Sequence, residues 1–243
     1  MTRIMVVNPN TTGAMTEVIG RCAQAAVGRG TVVEAVTPSM GPASIESHYD
    51  EALAVPGLLA EIARGEVEGA QGYVIACFGD PGLDAARELA TGPVVGIAEA
   101  AMRTATYLGR GFSVVTTLGR TAGRARDLAE HYGVGRACLA VRACEIPVLE
   151  LESPDATAAI TEECRRAVVE DGADAVVLGC AGMAELCAKI SAEIGVPVVD
   201  GVAAAARTVE SLVALGLSTG ARGEFARPPA KPYTGLLSDF QIR

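Results

Sequence analysis

Short aliphatic and β-branched runs alternate along this chain with longer segments of helical periodicity. The short runs are apolar throughout rather than at every second position, which predicts parallel strands buried on both faces by helices. Residues of the predicted strands are 4–7, 31–36, 72–76, 94–97, 112–116, 138–142, 175–178 and 197–199. Residues of the predicted helices are 12–26, 46–63, 83–90, 99–108, 121–132, 155–170, 183–194 and 202–215. The alternation therefore predicts an α/β fold.

The order of these elements repeats once. A first strand runs into the turn NPNTTG and a later one into CFGD; in the second half a first strand runs into TTLGRT and a later one into CAGM. We expect two similar Rossmann-like (flavodoxin-like) parallel-sheet domains, with the active site in the cleft between them, because ligands bind beyond the carboxyl ends of such strands. Since the last helix follows the second half's strands, the predicted domains are 1–98 plus 203–243, with that helix packing back, and 99–202.

Composition narrows the class of protein. A formal net charge of −9 argues against nucleic acid and anionic membranes as partners. The start of the chain lacks a signal-peptide pattern and no apolar run approaches about 20 residues, so we expect a cytoplasmic protein without a membrane span. Seven cysteines without a C-x-x-C pair, and only two histidines, favour neither a metal cluster nor a disulfide framework.

Two cysteines occupy matching positions in the two halves. Cys77 in VIACFGDPGL and Cys180 in VVLGCAGM each follow a predicted strand and precede a turn containing glycine. Free backbone N–H groups and the start of a helix favour thiolate there, and the following amides are placed to hold an oxyanion. One such cysteine alone is better explained as a small buried residue. The matched pair favours a catalytic role for both.

Other polar residues near the predicted turns have structural explanations. Ser44 or Ser47 precedes a helix and suits its N-terminal cap. Glu46 is either a ligand contact or a solvated first-turn residue, and His48 fits a surface or interface position better than a base. Asp80, three residues after Cys77, is expected to cap the helix that follows it.

Eight motifs carry a family resemblance. VVNPNTT, SIE, DEA, YVIACFGDPGL, GIAEAAM, FSVVTTL, EDGADAVVLGCAGM and VPVVDGV occur in this order between residue 4 and about residue 216. Together they resemble the hydantoin/allantoin racemase family, within the wider aspartate/glutamate racemase superfamily. The resemblance implies a cofactor-independent racemase that inverts C5 of a 5-substituted hydantoin, with Cys77 and Cys180 as its two acid/base residues. The pocket residues that it implies are Asn8, Ser44, Phe78, Gly79, Thr116, Thr117 and Gly182.

Departures from related motifs bear on the substrate. Glutamate racemases carry CNT and GCTH where this chain has CFGD and GCAGM, so the polar groups suited to a zwitterionic amino acid are missing and a neutral ring fits better. Gly119 stands in TTLGRT where proline is common. The C5 substituent, as in allantoin or an amino-acid hydantoin, stays open.

Several alternatives share this fold. They are an aspartate or glutamate racemase, a maleate isomerase, an arylmalonate decarboxylase with a single cysteine, and a small-molecule sensor without turnover. The pair of cysteines argues against the decarboxylase and is unnecessary in a sensor. We expect a small-molecule substrate, no cofactor or metal, and a homo-oligomer.

Overall fold

The computed structural model describes residues 1–151 and 153–242, so positions 152 and 243, which fall within the predicted domain ranges, lie outside the described residues. Strands and helices alternate as expected. The strands are β1 (Thr2–Val7), β2 (Thr31–Val36), β3 (Gly72–Ile75), β4 (Val94–Gly96), β5 (Phe112–Thr116), β6 (Cys138–Ala143), β7 (Ala175–Leu178) and β8 (Val198–Val199). The α-helices are α1 (Gly13–Ala26), α2 (His48–Glu68), α3 (Leu83–Leu89), α4 (Ile97–Ala105), α5 (Ala122–His131), α6 (Pro154–Asp171), α7 (Cys187–Ile194) and α8 (Gly201–Ala214).

The strands form two four-stranded sheets with the same internal order. The first sheet has the order β2-β1-β3-β4, the second has the order β6-β5-β7-β8, and every neighbouring pair is parallel. The prediction of an α/β fold with two similar parallel sheets is confirmed. In the first sheet Val7 pairs with Ile75, and in the second Val115 pairs with Leu178, so the two central strands of each sheet end side by side.

Local sequence accounts for most helix boundaries. Of the two expected caps, Ser47 caps α2, since its hydroxyl accepts a hydrogen bond from the Asp50 N–H at 3.1 Å. Gly172 ends α6 in the left-handed conformation, with φ 69°, which glycine adopts without a Cβ clash.

One predicted helix is divided in the structure. Residues 183–194 were expected to form a single helix, but a 3₁₀ helix (Ala181–Leu186) precedes α7. The Met183 N–H bonds to the Cys180 carbonyl at 3.1 Å, three residues back, so the chain leaves β7 in tight turns before the wider α-helix begins.

Helix α8 packs on the first sheet. It lies across α1 and α4 and contacts β1 and β3. Its Glu210 carboxylate accepts hydrogen bonds from the Gly28 N–H at 2.8 Å and the Thr31 hydroxyl at 2.6 Å, and so ties the helix to the start of β2. The division into domains 1–98 plus 203–243 and 99–202 stays a prediction.

Apolar side chains form two cores. The larger surrounds the first sheet and continues through α4 and α5 to one face of the second sheet, and the smaller fills the space between the second sheet, α6 and α7.

Within the described residues, no helix is both long and apolar enough to cross a membrane.

Candidate active site

Cys77 and Cys180 leave equivalent strands in equivalent ways. The Ala76 N–H donates to the Val7 carbonyl, and the Gly179 N–H donates to the Val115 carbonyl, both at 2.8 Å. Each bond extends the ladder by one residue beyond the strand, and the cysteine follows directly. Both cysteines therefore stand at the carboxyl edge of a parallel sheet, where ligand sites of this fold class form.

The turns after the two cysteines share one geometry. The N–H three residues on bonds to each cysteine's carbonyl: Asp80 to Cys77 at 3.0 Å, and Met183 to Cys180 at 3.1 Å. The N–H groups two residues on, of Gly79 and Gly182, lower the pKa of the thiol that precedes them. Such amides stabilise thiolate, and their expected role toward a substrate oxyanion stays a prediction.

A cavity of about 180 Å³ lies between the two sheets and is lined by both cysteines. One wall comes from the first half of the chain and the other from the second half. Besides the cysteines, the lining residues are Asn10, Met15, Ile45, Ser47, His48, Glu51, Ala76, Phe78, Gly79, Thr116, Thr117, Arg120, Thr121, Arg124, Ala125, Val148, Gly179 and Ala181. The cavity thus joins residues that are about one hundred positions apart in the chain.

The structure places four of the seven expected pocket residues in this lining, namely Phe78, Gly79, Thr116 and Thr117. The other three lie behind it. Asn8 is fully buried, and its amide nitrogen donates to Asn10 Oδ1 at 2.9 Å and to Thr16 Oγ1 at 3.0 Å. Asn10, the second asparagine of NPN, therefore lines the cavity. Asn8 lies behind Asn10 and positions it through the hydrogen bond to Asn10 Oδ1.

Gly182 and Ser44 also lie outside the cavity lining. A Cβ at Gly182 would sit 3.3 Å from Leu151 and 3.7 Å from the Cys180 sulfur, so this glycine backs the cysteine. The Ser44 hydroxyl donates to Glu46 Oε2 at 3.2 Å, and Glu46 Oε1 accepts from the Val148 N–H at 2.7 Å. Glu46 is accordingly a bridge between the halves, rather than the ligand contact or solvated residue that the sequence suggested.

Burial, and not the nearby amides, dominates the protonation of the two thiols. Desolvation raises the pKa of Cys77 to about 12, with further increases from the charges of Cys180 and Glu51. It raises the pKa of Cys180 to about 11. The N–H groups of Gly79 and Gly182 lower these pKa values but offset only part of the desolvation, so burial opposes the preference for thiolate that the turns were expected to give.

Glu51 and Arg124 form a charged pair in the lining that the sequence did not indicate. Arg124 Nε lies 3.6 Å from Glu51 Oε2, and Arg124 Nη2 donates to the Gly79 carbonyl at 2.8 Å. Burial raises the pKa of Glu51, although the charges of Arg124 and His48 oppose that shift. A Cβ at Gly79 would overlap the Glu51 carboxylate, so a larger residue there would displace the end of the Glu51 side chain. His48 stands at the rim with 82% of its side chain exposed, in keeping with the surface position predicted for it.

Asp80 caps a different helix from the one expected. Its carboxylate accepts hydrogen bonds from the N–H groups of Ala98 and Glu99, at 3.1 and 2.9 Å, at the start of α4. Helix α3, the expected recipient, has Gly82 as its N-cap and therefore no side-chain cap. Within residues 1–151 and 153–242, no group of three or more histidine, cysteine or carboxylate side chains is placed to hold a metal ion.

Comparison with known proteins identifies the family of this chain. Residues 4–209 match the family described as Asp/Glu/Hydantoin racemase. The chain is similar to a hydantoin racemase of Pseudomonas sp. (strain NS671), with 47% identity over 98% of this chain and 96% of that protein. It is also similar to the solved structure of an allantoin racemase from Klebsiella pneumoniae, with 51% identity, 99% of each chain covered and a TM-score of 0.97. An allantoin racemase structure from Pseudomonas fluorescens gives 40% identity and a TM-score of 0.90 over 96% of this chain and 100% of that chain. This chain belongs to the Asp/Glu/hydantoin racemase family.

Proposed function

We propose that the protein is a cofactor-independent isomerase that racemises 5-substituted hydantoins, such as allantoin, by proton transfer between Cys77 and Cys180. The observation that carries the proposal is the pairing of the two cysteines. They follow equivalent strands of two similar sheets and line one cavity from opposite sides. Inversion at a carbon requires an acid/base group on each face, which this arrangement supplies. The names of the similar proteins support hydantoins as the substrate class.

In the reaction, one cysteine acts as thiolate and removes the C5 proton, so that it becomes a thiol. The electron pair passes into the ring as an enolate, since C5 is flanked by the C4 carbonyl. The other cysteine, as thiol, donates its proton to the opposite face of C5 and becomes the thiolate. The opposite enantiomer reacts with the two roles exchanged.

Two backbone amides and two polar side chains at the cavity suit this reaction. The Gly79 and Gly182 amides stabilise whichever sulfur carries the charge. The side chains of Asn10 and Thr117 line the same cavity and supply hydrogen-bonding groups for ring carbonyl and N–H positions. Proton transfer through two thiols needs no bound metal in this scheme.

The test compares wild type with Cys77→Ser and Cys180→Ser, with Cys22→Ser as a control for loss of a thiol outside the cavity lining. Decay of circular dichroism from (S)-allantoin, 5-benzylhydantoin and 5-isopropylhydantoin measures inversion. Proton NMR in D₂O measures exchange at C5. We expect each active-site variant to lose inversion by at least about 1,000-fold, because a serine hydroxyl is a far weaker acid than a thiol. The Cys22→Ser variant should keep wild-type turnover.

Proton exchange at C5 distinguishes a racemase with two cysteine bases from an enzyme that uses other residues and from a binding protein without turnover. A single-cysteine variant that exchanges the C5 proton of one enantiomer without inverting it would support one base on each face. Near-wild-type inversion by either active-site variant would remove both cysteines from the proposed roles. Binding of a hydantoin by wild type without any C5 exchange would instead indicate a sensor.

A further inference from the structure

Asp80 is a buried carboxylate that the proposed proton transfer does not use. Only 3% of the residue is exposed. Besides the two N–H groups at the start of α4, its Oδ2 accepts a hydrogen bond from the Tyr132 hydroxyl at 2.6 Å. Three donors from distant parts of the chain therefore converge on one side chain, three residues after Cys77.

The backbone of Asp80 is held in a conformation that it rarely adopts. Its φ is 44°, in the left-handed region where residues with a Cβ are uncommon. Such a conformation persists where the surrounding contacts determine it. The Asp80 N–H closes the turn onto the Cys77 carbonyl at 3.0 Å, so the side-chain bonds of Asp80 hold the turn that directly follows Cys77.

Helix α5 and the residue after it form hydrogen bonds to the turn that follows Cys77 at two points. At its first turn Arg124 bonds to the Gly79 carbonyl at 2.8 Å, and at its end Tyr132 bonds to Asp80. Because α5 follows β5 of the second sheet, the loop that carries Cys77 is fastened from the opposite side of the cavity. Gly96 makes room for this arrangement, since a Cβ there would overlap the Asp80 carboxylate.

The protonation states suit these bonds at neutral pH. Desolvation raises the pKa of Asp80 to about 6, so that the group is ionised above that pH and accepts all three hydrogen bonds. Burial, together with the charge of Asp80, raises the pKa of Tyr132, which keeps its hydroxyl a donor. Among the charged groups nearby, Glu99 of α4 is paired with Arg87 of α3 at 2.6 Å and with Arg103 of α4 at 3.3 Å. Arg103 also lies over the Tyr132 ring, 6.0 Å from its centroid.

We propose that Asp80, through its hydrogen bond from Tyr132, is a positioning residue for Cys77 and not for Cys180. The inference rests on the proposed two-cysteine racemisation for its kinetic consequence, but its consequence for the Cys77 thiol is independent of any substrate. Loss of the bond loosens the Cys77 turn and leaves the Cys180 turn, which has its own contacts, unchanged.

The variants are Tyr132→Phe, which removes one donor and keeps every charge, and Asp80→Asn, which keeps the shape of the side chain. Their matched controls are Tyr107→Phe and Asp84→Asn, whose side chains are largely exposed. Alkylation by iodoacetamide, followed peptide by peptide with mass spectrometry, gives separate rates for Cys77 and Cys180. We expect about a threefold or larger increase at Cys77 and less than about a 1.5-fold change at Cys180 in Tyr132→Phe, because a looser turn lets water reach the buried Cys77 sulfur and relieves the desolvation that raises its pKa.

Proton exchange at C5 provides the second measurement. For the enantiomer that Cys77 deprotonates, exchange should fall by about tenfold in Tyr132→Phe. For the other enantiomer, exchange should stay within about twofold of wild type while inversion falls, so that exchange exceeds inversion. A variant that is merely less stable would affect both enantiomers and both cysteines alike.

Equal acceleration of alkylation at both cysteines, or an unchanged Cys77 rate in both variants, would overturn the inference. Should wild type catalyse no C5 exchange, the proposed function fails while the alkylation rates still decide the role of Asp80. Should wild type exchange normally and the alkylation rate at Cys77 stay constant, the proposed function stands and the positioning role fails.

Discussion

The reactivity of both cysteines toward alkylating agents should keep rising with pH far into the alkaline range. Their pKa values, about 12 for Cys77 and about 11 for Cys180, exceed the ordinary value of 9.0 by about three and two units. At neutral pH the thiolate fraction of Cys180 is therefore about 100-fold below that of an ordinary thiol, and that of Cys77 about 1,000-fold below. Because only the thiolate reacts with alkylating agents, each unit of pH should raise the rate about tenfold, from about pH 7 to about pH 10.

Alkylation by iodoacetamide with peptide-resolved mass spectrometry measures these slopes. Cys22 is an internal control, since desolvation also raises its pKa to about 11 but it does not line the cavity. Added allantoin should protect Cys77 and Cys180 and leave Cys22 unprotected. The logarithm of kcat/KM should rise with the same unit slope, because turnover requires one of the two thiols to lose its proton.

A plateau in the rates at Cys77 and Cys180 between about pH 8 and about pH 9 would refute this reasoning. It would mean that the Gly79 and Gly182 amides outweigh burial and hold the pKa values near or below the ordinary value. A plateau at Cys22 alone would leave the conclusion about the cavity intact.

Two further perturbations test contacts outside the thiols. Arg142→Met removes two hydrogen bonds to the largely buried Asp171. It should lower the free energy of unfolding, measured with urea, by about 2 to 3 kcal/mol. The control Arg21→Met removes an exposed ion pair and should lower that free energy by less than about 1 kcal/mol. Arg142 lowers the pKa of Asp171, so the stability difference between wild type and Arg142→Met should shrink as the pH falls through that lowered pKa. A difference that stays constant with pH would contradict a stabilising Arg142–Asp171 pair. Glu46→Ala should cost about 1 to 2 kcal/mol by leaving the Val148 N–H unpaired, and Glu46→Gln, which keeps an acceptor oxygen, should restore most of it.

Features encoded locally were predictable from the sequence. The strand and helix pattern follows from periodicity, so strands such as 31–36, 112–116 and 175–178 agree with the structure to the residue. The two cysteines could be singled out because each follows an apolar run and precedes a glycine turn. Phe78 and Gly79 could be placed with them because they adjoin Cys77 in the chain.

Features that depend on distant chain segments were missed or misplaced. Asn8 and Asn10 are both polar and in one turn, and only the packing of Thr16 beneath that turn decides which of them faces the cavity. Asp80 precedes α3, but the chain brings the N-terminus of α4 to its carboxylate instead. Glu51 and Arg124 meet in the lining from α2 and α5, and neither carries a local signal for that position.

The sequence by itself determined the alternation of strands and helices, its repetition, and the two strand-end cysteines, because hydrophobic periodicity and turn residues act over a few positions. The tertiary structure decided which side chains surround those cysteines and how they are protonated. Desolvation depends on the packing of both halves around the cavity. It raises the pKa values of Cys77 and Cys180 against the local effect of the Gly79 and Gly182 amides. That balance exists only once both halves of the chain are folded against each other.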